Sequence, residues 1–387
     1  MSTSKVQLVV TGLLFGGAAI IVVSQQRSLT GLRDENEVLR QRTAELEAEH
    51  RTFSNRLTRI KGASAPRLPA PPMSGVSAVE PEGELLATNL IAHLVHGGEV
   101  PRLTAAQLKR YLDENRRSAA SLLSAYRTSG DPALLQEAME KYPGDAAVAF
   151  EAAIKQGASP AERREWLEVL KKAGPENPMA NYLSALDYFK TGQTDHAVQE
   201  LTAASGRQGF ADYTQERIQA DEEAYRAAGY SAAEANMAAT WGVTLPQLAQ
   251  LKGLAQNTVA LAASYRQAGD ESSAQAALQM AIGLGQQLDA PSGTGMPLVT
   301  RLVGIAIERM ALGSMDSASA YGDGTVQQQL DQLVQRRNSI QGMVKQSTLF
   351  REQMTADDWL NYNERTRSFG EENALAWMLN KYEVKSE

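Results

Sequence analysis

Cysteine is absent from all 387 residues. That excludes a disulfide scaffold, thiolate zinc sites, iron–sulfur clusters and a cysteine nucleophile, and it leaves the compartment open. Histidine is scarce too, with four residues. Two of them, His93 and His96, sit three apart with Glu99 nearby, the one arrangement that suggests a metal. An ordinary helix end before Gly97-Gly98 explains that spacing as well, and no metal is expected there. The usual catalytic signatures are missing: no phosphate-binding GxxxxGK[ST], no GxGxxG after a strand, no HExxH and no GxSxG. The glycines at 283, 285, 293 and 295 have no following lysine and no preceding strand, so they read as loop. No cofactor is expected. Basic excess is also lacking, since 38 Lys+Arg face 45 Asp+Glu for a net −7. Residues 1–83 carry +2, leaving −9 on the rest, which argues against a nucleic-acid surface. Hydrophobic residues make up 43%, enough for a true core. The length fits two or three domains or one extended array.

One long uncharged run is present. Residues 6–23, VQLVVTGLLFGGAAIIVV, would span about 27 Å as a helix, close to a bilayer core of about 30 Å. Residues 1–27 therefore read as a transmembrane signal anchor, with residues 6–24 in the lipid. A cleavable signal peptide is the other reading, because Val22-x-Ser24 loosely fits the small-residue cleavage rule. Gly12 and Gly16 would let two such helices pack closely. Arg27, Arg33, Arg40 and Arg42 pull the following chain inward, whereas a short tail before a long exported domain favours the outside. The expectation is a single-pass inner-membrane protein of a bacterial envelope, its domain facing the periplasm.

Residues 28–61 follow a heptad. Leu29, Asn36, Thr43, His50 and Leu57 recur every seven positions, and Leu32, Leu39, Leu46, Phe53 and Ile60 do so three places later. This is the a/d seam of a left-handed coiled coil. Asn36 at an a position points to a parallel homodimer held by Leu32, Asn36, Leu39, Leu46, Phe53, Leu57 and Ile60. The flanks agree, pairing Glu35 with Arg40 and Arg42 with Glu47 across the dimer; Arg56 opposite Lys61 repels. Residues 62–83 hold five of the fourteen prolines and read as a semi-rigid polyproline II spacer.

From residue 84 onward the chain is rich in Ala, Leu, Gln and Glu and shows no alternating strand. Tyr126, Tyr188, Tyr225 and Tyr265 each precede a glycine by four places (Gly130, Gly192, Gly229, Gly269), so that each glycine can end a helix in the left-handed conformation. A further helix is expected after each, over 271–284 in the last case. Helix, glycine turn and helix, repeated, signal an α-solenoid of stacked hairpins over 84–350, with capping helices over 351–387. Leu298 to Leu312 reads as a buried helix, Ala320 to Gly324 as a loop, and Thr325 opens a long polar helix. Thr355 is an expected N-cap, and Trp359, Phe369, Trp377 and Leu379 are expected in the cap.

Leu261, Ala262, Tyr265, Gly269, Ala274, Leu278 and Ala281 resemble the tetratricopeptide repeat in their spacing of small and large residues, as do Ala185, Tyr188, Gly192, Ala197, Leu201 and Ala204. The second set departs at Asn181 and Ser184, where the family usually has large apolar residues. The resemblance covers about a fifth of the chain. It implies a concave groove for a protein or peptide ligand. Arg127, Lys190, Arg226 and Arg266 would line that groove and pair with an acidic segment or a chain-terminal carboxylate. Charges solvated near helix C-termini, where cations suit the dipole, are the plainer explanation of the same four residues. The expected function is a membrane-anchored, dimeric, non-enzymatic scaffold; an all-α enzyme or enzyme subunit with an unrecognised site is the alternative.

Overall fold

The structure is a computed structural model that describes residues 90–207, 209–289 and 297–383. The expected membrane span, coiled coil with its dimerisation residues, and spacer lie outside the described residues. What is described belongs to one compact unit, Pro81–Glu387. Among the described residues no helix is long and apolar enough to cross a membrane.

The described chain is all-α, apart from one two-stranded ladder. The order begins α1 (Leu90–Val95), α2 (Ala105–Glu114), α3 (Ala119–Ser129), α4 (Pro132–Lys141), α5 (Ala146–Ile154), α6 (Pro160–Ala173), α7 (Met179–Lys190) and α8 (Thr194–Ala204). It continues with α9 (Thr214–Ala227), α10 (Ala232–Gly242), α11 (Pro246–Gln267), α12 (Glu271–Asp289) and α13 (Leu298–Leu312). Strands β1 (Ala320–Tyr321) and β2 (Gly324–Thr325), then α14 (Val326–Ser347), α15 (Ala356–Phe369) and α16 (Glu371–Glu383), complete it.

Local chemistry sets the boundaries. Asp131 caps α4 by accepting from the Ala133 N–H, with Pro132 in the first turn, where its missing N–H costs nothing. Ser159 and Pro160 open α6 in the same way. Thr325 with Gln328 and Thr355 with Asp358 form capping boxes on α14 and α15, so both expected starts are found. At the other ends, Gly130, Gly192, Gly229 and Gly269 all carry positive φ, from 73° to 100°. In three of these turns the residue after the glycine donates back to the tyrosine carbonyl: Gln193 to Tyr188, Tyr230 to Tyr225 and Asp270 to Tyr265. That is the bond which closes a Schellman turn.

Consecutive helices pair as antiparallel neighbours: α3 with α4, α5 with α6, α7 with α8, α9 with α10 and α11 with α12. The small residues do what their spacing implies. Ala262, Ala274, Leu278 and Ala281 are buried, as are Ala185, Ala197, Leu201 and Ala204. The two departures are buried polar residues. Asn181 donates to Glu200 (2.7 Å) and accepts from Arg207 (2.9 Å), so its burial is compensated.

Packing is not confined to successive pairs. Helix α9 lies against α2 and α3, about a hundred residues earlier, while α11 lies along α7 and α10 packs on α1 and α15. Tyr111 on α2 and Ser124 on α3 both donate to the Ala220 carbonyl of α9, at 3.3 and 2.9 Å. Two apolar cores result. One joins α1–α4 to α9, α10 and the last helices; the other joins α5–α8 to the first half of α11.

Two expectations need correction. Gly283 and Gly285 lie inside α12, which continues past residue 284 to Asp289. There Gly285 meets Gly304 of α13, so the glycine serves a close helix crossing rather than a loop. Ala320 to Gly324 is a minimal antiparallel hairpin, pairing Ala320 with Thr325 and Tyr321 with Gly324. The closing helices hold the four residues expected there, Trp359 and Phe369 on α15 and Trp377 and Leu379 on α16.

Candidate functional site

The return of α9 and α10 onto the early hairpins leaves a cleft of about 1220 Å³. Its walls come from the 100–102 segment, α3 with the turn into α4, α4 itself, the end of α5, α9, and α10 with its connection to α11. Leu135, Met139, Ile154, Ala238, Ala239 and Val243 give it apolar surface. The volume exceeds the roughly 300–1,000 Å³ typical of small-ligand pockets.

Its charged wall is a four-membered network. The Arg127 guanidinium forks onto Asp221, with Nη2 at 2.7 Å from Oδ1 and Nε at 3.0 Å from Oδ2. Its Nη1 donates to Glu151 at 3.1 Å. Arg217, one turn before Asp221 on α9, ion-pairs with the same Glu151 at 3.0 Å and donates to the Thr244 carbonyl at 3.2 Å. These side chains are nearly buried, so pairing is what makes their burial tolerable. Burial alone would lower the Arg127 guanidinium, but Asp221 and Glu151 outweigh it and hold it above its ordinary value. Burial pushes the Asp221 carboxyl up, against the pull of Arg127 and Arg217. Nearer the surface, Lys155 pairs with Glu162 at 2.5 Å.

Arg102 stands apart. The chain on either side of it is pinned: the Tyr225 hydroxyl donates to the Pro101 carbonyl (2.8 Å), and the Leu103 N–H donates to the Thr128 carbonyl (3.0 Å). The guanidinium then lies over Gly130, where a Cβ would come 3.1 Å from its Nη1. Among the described residues it has no ion-pair or hydrogen-bond partner.

Of the four expected groove cations, Arg127 lines this cleft and the other three do not. Lys190 is exposed at the end of α7. Arg226 pairs with Glu222 one turn earlier at 2.5 Å. Arg266 pairs with Glu271 at 3.3 Å and also donates to the Ser314 carbonyl. The structure therefore does not gather the four into one surface. Arg102, Glu151, Arg217 and Asp221 carried no sequence signal of their own. His93 and His96 lie at α1, with His96 Nδ1 3.6 Å from the Glu352 carboxylate. Among the described residues no group of three His, Asp or Glu could hold a metal.

No protein family matches the sequence, no curated protein is similar to it and no solved structure matches its fold.

Proposed function

We propose that this chain is a membrane-anchored, dimeric, non-enzymatic scaffold whose helical-repeat domain binds a segment of a partner protein in the cleft between α3–α5 and α9–α10. The domain is then a solenoid of tetratricopeptide-like hairpins that curls back until α9 reaches α3. The apolar run over residues 6–23 supports the anchor, and the unbroken heptads from Leu29 to Ile60 support the dimer. Two clefts on one dimer would bind a multivalent partner with avidity.

The observation that carries the binding role is the cleft itself. It is larger than a small-molecule pocket, part apolar and part polar, and its three carboxylates are each held by an arginine or lysine. Carboxylates tied up in this way suit a stable recognition surface better than proton transfer, which needs a group poised near the working pH.

Site-specific photocrosslinking of the full-length protein in its membrane tests the proposal. A crosslinker at Gln136, exposed on the α4 wall, should capture a defined partner. One at Gln341, exposed on α14 away from the cleft, should not. Ala133→Trp, which adds bulk at the cleft lining without touching the core, should abolish the Gln136 adduct. Identical adducts from both positions, or none that Ala133→Trp reduces, would overturn the reading.

A further inference from the structure

We propose that Arg102 is the specificity-determining contact of the cleft, and that it selects an internal, extended partner segment carrying a side-chain carboxylate beside apolar side chains. This rests on the reading of the cleft as a protein-binding site.

The argument starts from charge. The cleft is lined by Arg102, Arg127, Lys155 and Arg217 and by Glu151, Glu162 and Asp221. Every one of these except Arg102 is committed to a partner inside the cleft. What remains for a ligand is one guanidinium, in a domain that is otherwise strongly acidic. An acidic segment gains a charge-assisted contact there, whereas a basic one meets an uncompensated like charge.

Geometry adds to this. Arg102 sits on a strap tied at both sides, by Tyr225 to Pro101 and by Leu103 to Thr128, so its base is fixed before any ligand arrives. Gly130 beneath it has φ +78° and no Cβ, which leaves room for the guanidinium to lie across the end of α3. A rigid mount lowers the ordering cost of binding. Within reach of the same cleft, Leu135, Met139 and Ile154 offer an apolar wall for neighbouring side chains.

The local backbone argues for a side-chain carboxylate over a chain terminus. Capture of a free terminus uses a nest of backbone N–H groups. Here Pro101 has no N–H and that of Leu103 is already given to Thr128, so the strap has no two successive free N–H groups with which to form such a nest.

The test uses full-length protein in detergent micelles and immobilised random nonapeptides. Three composition-matched sets carry a central Asp or Glu, Asn or Gln, or Lys, each made with free and with amidated C-termini. The acidic set should bind best, irrespective of the C-terminus. Arg102→Gln should weaken that set about five- to tenfold, to the level of the neutral set, and Arg102→Lys should restore part of the loss. Arg102 is exposed, and an unchanged thermal melt will show that the variant is folded. Binding without charge preference, a preference that survives Arg102→Gln, or one that needs a free terminus would overturn this assignment while leaving the cleft a binding site. Absence of binding by every set, with Ala133→Trp indistinguishable from wild type, would overturn both.

Discussion

Gly285 of α12 and Gly304 of α13 face each other at a point where neither position has room for a side chain. A Cβ on Gly304 would stand 2.6 Å from the Gly285 carbonyl oxygen and 2.8 Å from the Asp289 nitrogen. A Cβ on Gly285 would stand 2.9 Å from both the Gly304 oxygen and the Glu308 nitrogen. At Gly304 the two nearest obstacles are backbone atoms, which cannot swing aside, so the two helices must part.

Gly304→Ala should therefore destabilise the domain by about 1–3 kcal/mol, despite alanine's better helix propensity. Gly342 is the control. It lies exposed within α14 with open space around it, and Gly342→Ala should stabilise by roughly 0.5–1 kcal/mol. Urea unfolding of both variants reads the opposite signs directly.

Beside that crossing lies Glu308, whose carboxyl is pushed up to about 7 by burial and then by the charge of Asp289, with Arg336 pulling it back. The same carboxyl in the unfolded chain titrates near 4.5. Between those values the folded state keeps a proton that the unfolded state releases. Stability from this group is therefore present at pH 4.5 and is lost as pH rises through about 7. The loss is on the order of 1–3 kcal/mol. Asp289 from α12, Arg336 from α14 and Tyr321 from β1 are the charged and titratable groups that face it. Unfolding free energies at pH 5, 6, 7 and 8 should fall with pH more steeply in wild type than in Glu308→Gln.

In the cleft wall, Arg127→Met would leave Asp221 without its guanidinium. The expected cost is about 3–5 kcal/mol, typical of breaking one side of a buried pair. Adding Asp221→Leu removes the orphaned charge and should recover most of that loss, while Glu151 keeps Arg217. A double variant no more stable than the single one would show that the pair is not acting as a unit.

Ala274 is fully buried between paired helices. Ala274→Leu should overpack that contact by roughly 1–3 kcal/mol, seen as a lower melting temperature. A melt identical to wild type would remove the small-residue account of this hairpin.

Helix existence and ends were legible in the sequence because they depend on neighbours. Thr325 and Thr355 cap the helices that follow them, and the four glycines turn after the tyrosines that precede them. Gly285 misled because a glycine in sequence looks like a break; only the approach of α13 reveals why a helix tolerates it. The cleft was legible through a single residue. Arg127 stood out by its place after Tyr126, but its partner Asp221 is ninety-four positions away and Glu151 twenty-four. No local pattern links them, because they meet only through the return of α9 onto α3. Arg226 and Arg266 shared the sequence position of Arg127, with Lys190 one place further on, but none of them shared its surroundings.

That return also governs how the domain comes apart. Helices that touch only their immediate neighbours can peel from either end, each step exposing little. Here Ala220 is held by Tyr111 and Ser124, so unpicking the early hairpins strips one side of α9, and removing α9 bares α3 in turn. A cut in the exposed turn around Gly206 should accordingly release no surviving half, and both fragments should melt together or not fold at all.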